Sequence, residues 1–340
     1  MAARSLFDTR VIAASQRFGA WRESIGVIFD VNPGQTYAPE EFDARVESLM
    51  FDGLVMNRCQ SRAQSFDRPV SRFAADGLDH YMIQLLLHGG VTMSRGRRTL
   101  RARAGAVIGF DLADVLDSAN DDFDVLSLFI PRRRLAPLLT HPDSLHGNMI
   151  DTGAGAGRLL ADYLRSIYQT APQMEEAECA VTADVLLRLI SMAFNAADIE
   201  DTDPPDWADQ TILVNARTVM RDRLHDPDLG VEDIAKRLGV SRARLYRAFS
   251  NTGGVMETLR EKRLRRCFTD LVSPSQAHYQ IAEIAYRSGF SDPASFARAF
   301  RARFGISPSE ARMSSHARHS LNAGSGALDR SYEAWIASIG

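Results

Sequence analysis

The 340-residue chain has only three cysteines, Cys59, Cys179 and Cys267, and their spacing makes neither a CxxC pair nor a metal-ligand pattern. That argues against a disulfide framework or a zinc module and fits a reducing compartment. Its eight histidines include no HxH pair, and His80, His88, His141 and His146 are scattered through the N-terminal half. No apolar run reaches the length of a membrane span, and the N-terminus lacks the apolar core of a secretory signal. These absences predict a cytoplasmic protein. The glycine-rich run GAGAGR (Gly153–Arg158) lacks the Gly-Lys-Ser/Thr ending of a phosphate-binding loop and a preceding buried strand, so it reads as the lead into a helix.

A surplus of charge of either sign is missing too. The formal net charge is −3, but it is unevenly spread. Residues 211–312 hold 18 Lys and Arg against 11 Asp and Glu, about +7, and the rest of the chain holds 22 against 32, about −10. A basic domain on an acidic body suits contact with a phosphate backbone from which the body is repelled.

What the chain does contain is a repeat. Val231–Ser250, VEDIAKRLGVSRARLYRAFS, returns as Ile281–Phe300, IAEIAYRSGFSDPASFARAF. Ile234/Ile284, Ala235/Ala285, Arg237/Arg287, Gly239/Gly289 and Ser241/Ser291 match at an offset of 50. After one inserted residue, Arg247/Arg298, Ala248/Ala299 and Phe249/Phe300 match at 51. Each copy reads as helix, glycine turn, helix. Val231, Ile234, Ala235 and Leu238 form one apolar face, Gly239 closes the helix in a left-handed conformation, and Ser241 caps the next. In the second copy Asp292-Pro293 supplies the cap and first helical position. This is the grammar of a helix-turn-helix, whose second helix enters the major groove of DNA. Between the copies, Val255–Leu271 is long enough for about 25 Å of helix, which with the bulk of the units could set two recognition helices about one DNA turn, roughly 34 Å, apart. Ser307-Pro308-Ser309-Glu310 is a capping box that opens a final helix.

The segment from about Thr211 to Arg312 resembles the DNA-binding domain of the AraC/XylS family of bacterial transcription regulators. Beyond the repeat, the resemblance is carried by GGVMETLREKRLRR (Gly253–Arg266), IAEIAYRSGFSD, FARAFRARFG and ISPSEAR (Ile306–Arg312). With Leu245, Phe249, Phe296 and Phe300 inward, the outward positions include Arg242, Ala243, Tyr246, Arg247 and Ser250, then Ala294, Ser295, Ala297, Arg298 and Arg301. The resemblance implies that Ala243, Tyr246, Arg247, Ala294, Ser295 and Arg298 read bases, with Arg247 and Arg298 suited to bidentate pairing with guanine. Ser241, Arg242, Arg244, Arg301 and Arg303 are expected on phosphates. Arg263, Arg265 and Arg266 could contact DNA or pair within the fold.

From 46 to 130 the texture is that of short strands: Leu49–Arg58, Tyr81–Leu87, Val91–Ser94 and Asp124–Ile130, punctuated by glycines. Asn32-Pro33-Gly34 reads as a turn. Such spacing suggests an antiparallel barrel or sandwich. RARAGAVIGFD (Arg101–Asp111), running into LSLFIPRRRL (Leu126–Leu135), is similar to the cupin-like sensor barrel of the same family. Metal-dependent cupins need convergent histidines and a carboxylate, so no enzyme activity, metal or cofactor is expected here. A small organic effector needs only an apolar pocket with a few polar groups. Arg62, Tyr81 and Gln84 are candidates for these groups, although each also reads as an ordinary strand residue.

Two apolar stripes follow, Leu159, Leu160, Tyr163, Leu164 and Ile167, then Val181, Val185, Leu186, Leu189, Ile190, Ala193 and Phe194. The resemblance implies that such helices dimerise, with Leu186, Leu189 and Ile190 at the interface; covering the barrel is the other reading.

The expected architecture is a two-domain α+β chain. Residues 1–198 form a sensor and dimerisation domain, with a cupin-like antiparallel barrel over about 46–130 and a helical hairpin over about 155–198. Residues 199–208 form a linker, 209–312 an all-α domain of two helix-turn-helix units joined by a long helix, and 313–340 a tail. Tyr332, Trp335, Ile336 and Ile339 in the tail lie at helical spacing and want a partner surface. The expected function is a homodimeric, effector-controlled regulator of promoter DNA. By resemblance it is an activator that contacts RNA polymerase. Two alternatives stay open: a barrel that only dimerises, and a barrel enzyme fused to a DNA-binding domain.

Overall fold

A computed structural model describes residues 2–34, 36–69, 72, 78–95, 98–200, 207–249, 254–272, 276–318 and 328–339. The chain divides into two compact units, one built from residues 1–73, 78–198 and 322–340, the other around residues 199–321.

The first unit holds two antiparallel sheets. The larger has seven strands in the order β1-β3-β4-β11-β6-β9-β12, the smaller five in the order β2-β5-β10-β7-β8. The strands are β1 (Ala3–Asp8), β2 (Asp30–Pro33), β3 (Ala44–Phe51), β4 (Leu54–Ser61), β5 (Gln64–Arg68), β6 (Tyr81–His88), β7 (Gly90–Arg95), β8 (Arg98–Arg103), β9 (Val107–Asp111), β10 (Leu116–Asn120), β11 (Phe123–Ile130) and β12 (Asn148–Ile150). Alternation along each strand sends one set of side chains between the sheets and the other outward. Val46, Val55, Met82, Phe110, Val125 and Phe129 of the larger sheet meet Val31, Val91, Met93 and Leu116 of the smaller. The opposite face of the larger sheet, with Leu49, Met56, Ile83, Leu126 and Leu128, is covered by helices.

Two strand expectations are corrected. Leu49–Arg58 is not one strand but the two arms of a hairpin, turned at Asp52-Gly53 with φ of 44° and 67°. An Asp-Gly pair between alternating residues is a strong hairpin signal, since both turn positions need positive φ. Asn32-Pro33 is not a turn but the end of β2, where Pro33 lies opposite Gln64. Proline is tolerated there because β2 is an edge strand that needs no second hydrogen-bonded neighbour.

Helix α1 (Ala14–Ile25) brings Trp21 and Ile25 into the inter-sheet core. The short α2 (Arg132–Leu135) follows β11. Helices α3 (Gly155–Thr170) and α4 (Glu176–Glu200) form the hairpin over the larger sheet. Helix α4 extends through Ile199 and Glu200, the first two residues of the expected linker; residues 201–206 lie outside the described set.

The second unit is helical: α5 (Trp207–Asp222), α6 (Val231–Leu238), α7 (Arg242–Ala248), α8 (Val255–Val272), α9 (Ile281–Arg287), α10 (Pro293–Phe304) and α11 (Pro308–Arg318). The chain then returns to the first unit through α12 (Ser331–Ser338). Tyr332 and Ile336 are fully buried in the inter-sheet core, joined by Ile339. Polar contacts fix the helix at both ends. The Tyr332 hydroxyl lies 2.7 Å from Ser24 Oγ, Arg330 pairs with Glu23 at 2.9 Å, and His80 Nε2–H donates to the Ile336 carbonyl at 2.9 Å. The Leu6 amide donates to Asp329 at 3.1 Å. The first unit is therefore completed by residues that follow the helical unit in sequence.

Candidate nucleic-acid interface and inner cavity

The two halves of the helical unit are built alike around separate cores. In the first, Ile234 and Ala235 of α6 and Leu245 of α7 pack with Phe249, Ile212, Ala216 and Met220. Gly239 ends α6 in the left-handed region (φ 65°), and the Ser241 hydroxyl accepts from the Arg244 amide at 3.2 Å, starting α7. In the second, the Phe296 and Phe300 rings meet at 5.4 Å, and Phe304 meets Phe268 of α8 at 5.0 Å. Asp292 caps α10 by accepting from the amides of Ala294 and Ser295 at 3.1 and 2.7 Å. The Ser307–Glu310 capping box is formed in both directions, at 2.7 and 3.2 Å.

Turning these inner faces to the core leaves Ala243, Tyr246 and Arg247 on α7 and Ala294, Ser295 and Arg298 on α10 exposed. Ser241, Arg242, Arg244 and Arg301 are exposed as well, with Arg242 paired to Glu232 at 2.7 Å. Ser250 lies outside the described residues.

Arg303 is placed differently. Its Nε donates to both Glu261 oxygens, at 2.9 and 2.7 Å, and the side chain is about three-quarters buried. Arg265 joins the same carboxylate at 2.8 Å. Burial would raise the Glu261 carboxyl, but the Arg303 hydrogen bonds and the two guanidinium charges outweigh it and hold it below the ordinary carboxylate value. Arg303 thus ties α10 to α8 and is removed from the phosphate-contacting set. Arg263 is also internal: its guanidinium donates to the carbonyls of Leu224 and Asp226, at 3.2 and 2.5 Å. Arg266 pairs with Asp270 at 2.9 Å.

Between the sheets of the first unit lies a cavity of about 60 Å³, lined among others by Trp21, Asn57, Met82, Gln84, Phe110 and Tyr332. A buried water needs about 10–15 Å³ and a cavity that binds benzene about 150 Å³, so there is room for several waters, and a ring fits only if the walls give way. Of the three effector candidates, Gln84 lines this cavity. Tyr81 does not, because it lies three positions away on the same strand and therefore faces the other side of the sheet. It packs beneath the helices, its hydroxyl accepting from Arg132 at 2.7 Å, and Arg132 also pairs with Asp111 and Asp79. Arg62 is not among the lining residues. It pairs with Asp122 at 2.9 Å and lies over the Tyr37 ring. The parity of β6 was the sequence signal that separates Tyr81 from Gln84. Asn57 and Ser127, which also line the cavity, follow only from the register of β4 and β11.

On α4, Leu186 and Ile190 are fully buried against the first unit's own core, with Leu189 partly buried beside them. Leu186 and Ile190 are thus committed to this core rather than to an exposed face. The exposed face of this helix carries Val181, Val185 and Met192 instead, at 65%, 46% and 48% exposure. Among the described residues, no helix is long and apolar enough to cross a membrane, and no three His, Cys, Asp or Glu residues gather as metal ligands.

Two helix-turn-helix units with opposed inner and outer faces, joined to an antiparallel-sheet domain, define a DNA-binding transcription regulator. The comparisons with known proteins agree. A helix-turn-helix domain model matches residues 234–314, and an AraC-binding-like domain model matches residues 21–194. The chain is 41% identical over 282 residues to the Msm operon regulatory protein of Streptococcus mutans, spanning 80% of this chain and 95% of that one. It is 26% identical over 288 residues to the transcriptional activator NphR of a Rhodococcus species, spanning 78% and 80%. The crystal structure of the AraC-like transcriptional activator CuxR shares the fold with a TM-score of 0.55 at 20% identity, covering 84% of this chain and 100% of that one. The chain belongs to the AraC/XylS family.

Proposed function

We propose that this regulator is an activator that grips two successive major-groove segments of promoter DNA through α7 and α10. A small organic effector held between its sheets controls that grip. The matched, exposed Arg247 and Arg298 on the two second helices carry the DNA reading. Ala243, Tyr246, Ala294 and Ser295 complete the base-reading set, and Ser241, Arg242, Arg244 and Arg301 hold phosphates. The name of the Rhodococcus relative supports activation, and with it contact with RNA polymerase in the cytoplasm. The Val181, Val185 and Met192 face of α4 is the proposed homodimer contact. Effector control acts as a population shift: the effector must bind the DNA-competent arrangement better than the other, or it shifts nothing.

Selection of binding sites from a random duplex pool by the full chain tests the reading. Two short preferred boxes about 10 base pairs apart are expected. Weak, salt-sensitive binding without sequence preference would overturn it.

A further inference from the structure

Polar side chains meet in the middle of the larger sheet's inner face. Register sets Asn57 of β4 opposite Ser127 of β11, and Ser127 opposite Gln84 of β6. Three polar side chains therefore leave three adjacent strands on one face, and all three line the cavity. Gln84 Nε2 donates to Ser127 Oγ at 3.1 Å. Asn57 is 5% exposed, and its amide oxygen has no hydrogen-bond partner among the described residues. A buried carbonyl oxygen is stable only when something donates to it.

From the smaller sheet Ser118 and Asn120 also face the cavity, the Ser118 hydroxyl donating to Asn120 Oδ1 at 3.4 Å. The remaining wall is mostly aliphatic and aromatic, and the described lining residues include no Asp, Glu, Lys, Arg or His. Its two weakly acidic groups, the Cys59 thiol and the Tyr332 hydroxyl, are both pushed well up, above all by burial. An ion entering this space would shed its water and meet no counter-charge. A neutral molecule with one donor would meet the apolar wall and the waiting oxygen.

We propose that the cavity, widening around its ligand, selects an uncharged, ring-sized organic molecule that donates one hydroxyl or amide hydrogen to Asn57 Oδ1, and that it rejects carboxylates of the same shape. The proposal rests on the reading of the cavity as the effector site and adds the chemistry of what enters it. Gln84 and Ser127 flank the donor as positioning residues, and Tyr332 of α12 supplies part of the wall. The class of ligand is thus set jointly by the sheet and by the last helix of the chain.

The full-length protein is titrated at neutral pH with phenol, toluene and benzoate, following the indole N–H resonance of Trp21, a lining residue whose Nε1–H donates to Gln64 at 2.7 Å. Phenol and toluene should shift it saturably, and benzoate should bind at least about tenfold more weakly than phenol, a difference of ~1.4 kcal/mol. Asn57→Leu should weaken phenol about three- to tenfold, the size of one neutral hydrogen bond, while toluene binds as well or better. Retained toluene binding shows that the variant cavity is intact; if Asn57→Leu does not fold, Asn57→Ser takes its place. Benzoate binding as tightly as phenol, or phenol binding that ignores Asn57, overturns the ligand class and leaves the effector cavity standing. Failure of all three probes to move Trp21 brings down the effector cavity and the proposal with it.

Discussion

Arginine does different work within the helical unit, and burial separates the roles. Arg247 and Arg298 are exposed and are the proposed base readers. Replacing either with alanine is expected to cost about 1–3 kcal/mol of discrimination at one base position, measured by competition between single-base variants of the selected site. Arg301→Ala should instead weaken binding to all sequences and reduce the salt slope by about one unit. Arg303 belongs with neither. Arg303→Met is expected to lower stability toward urea by about 1–2 kcal/mol, because Glu261 loses one of its two guanidinium partners in a partly solvated site, and to leave the salt slope unchanged. A reduced slope with undiminished stability would return Arg303 to the phosphate set. The distinction was available in the spacing. Arg303 lies seven residues beyond the buried Phe296, two helical turns on, and so leans back to the inner face. The partner, Glu261, was not legible, because it comes from a helix more than 40 positions earlier.

At the scale of elements, the repeat is closer in sequence than in structure. Gly239 and Gly289 are equivalent in the repeat, and both take positive φ, 65° and 86°. A Cβ on Gly239 would meet nothing within 4 Å, whereas one on Gly289 would lie 2.4 Å from the Leu224 carbonyl oxygen and 2.7 Å from Arg263 Nε. Gly239→Ala is therefore expected to cost only the left-handed penalty, about 1–2 kcal/mol. Gly289→Ala adds the cost of overpacking, for about 2–5 kcal/mol in all. Urea denaturation of the two variants compares them, and equal losses would show that the second turn is no tighter than the first. The recurring pattern revealed two helix-turn-helix units. It did not reveal that the turn of the second is pressed against the carbonyl end of α5's following loop, since α8 and Arg263 make that contact.

Across the whole molecule, the first unit is interrupted by the second in sequence and completed by α12. Tyr332→Ala should destabilise the sheet unit by about 3–5 kcal/mol, as expected for emptying a large aromatic site in a core. His80 links this docking to pH. Burial pulls its imidazole below the ordinary histidine value. Asp79 and the Ile336 carbonyl pull it up, Arg132 and Arg68 push it down, and the net shift is downward. As pH falls below about 6.5, the unfolded chain takes up a proton that the folded ring refuses, so stability contributed by the neutral ring is lost with acidification. Urea midpoints should fall more steeply between pH 7 and pH 5.5 in the natural protein than in His80→Gln, which keeps a donor for the Ile336 carbonyl. Equal slopes would remove His80 from the pH response.

The resemblance of its motifs to a known family gave the class of protein, and local periodicity was enough for the two helix-turn-helix units, their outward faces, the antiparallel character of the N-terminal region and the amphipathic tail. Each of these depends on residues a few positions apart, bound by the geometry of one helix or strand. The tertiary structure alone decided which strands bring their polar residues together at the cavity, which face of α4 remains open, which partners the internal arginines take and where the tail docks. Asn57, Ser127 and Gln84 become neighbours through strand register, and Tyr332 reaches Ser24 across 308 positions of sequence. Such contacts are set by the packing of distant elements against one another, and no repeat or spacing within a single segment encodes them.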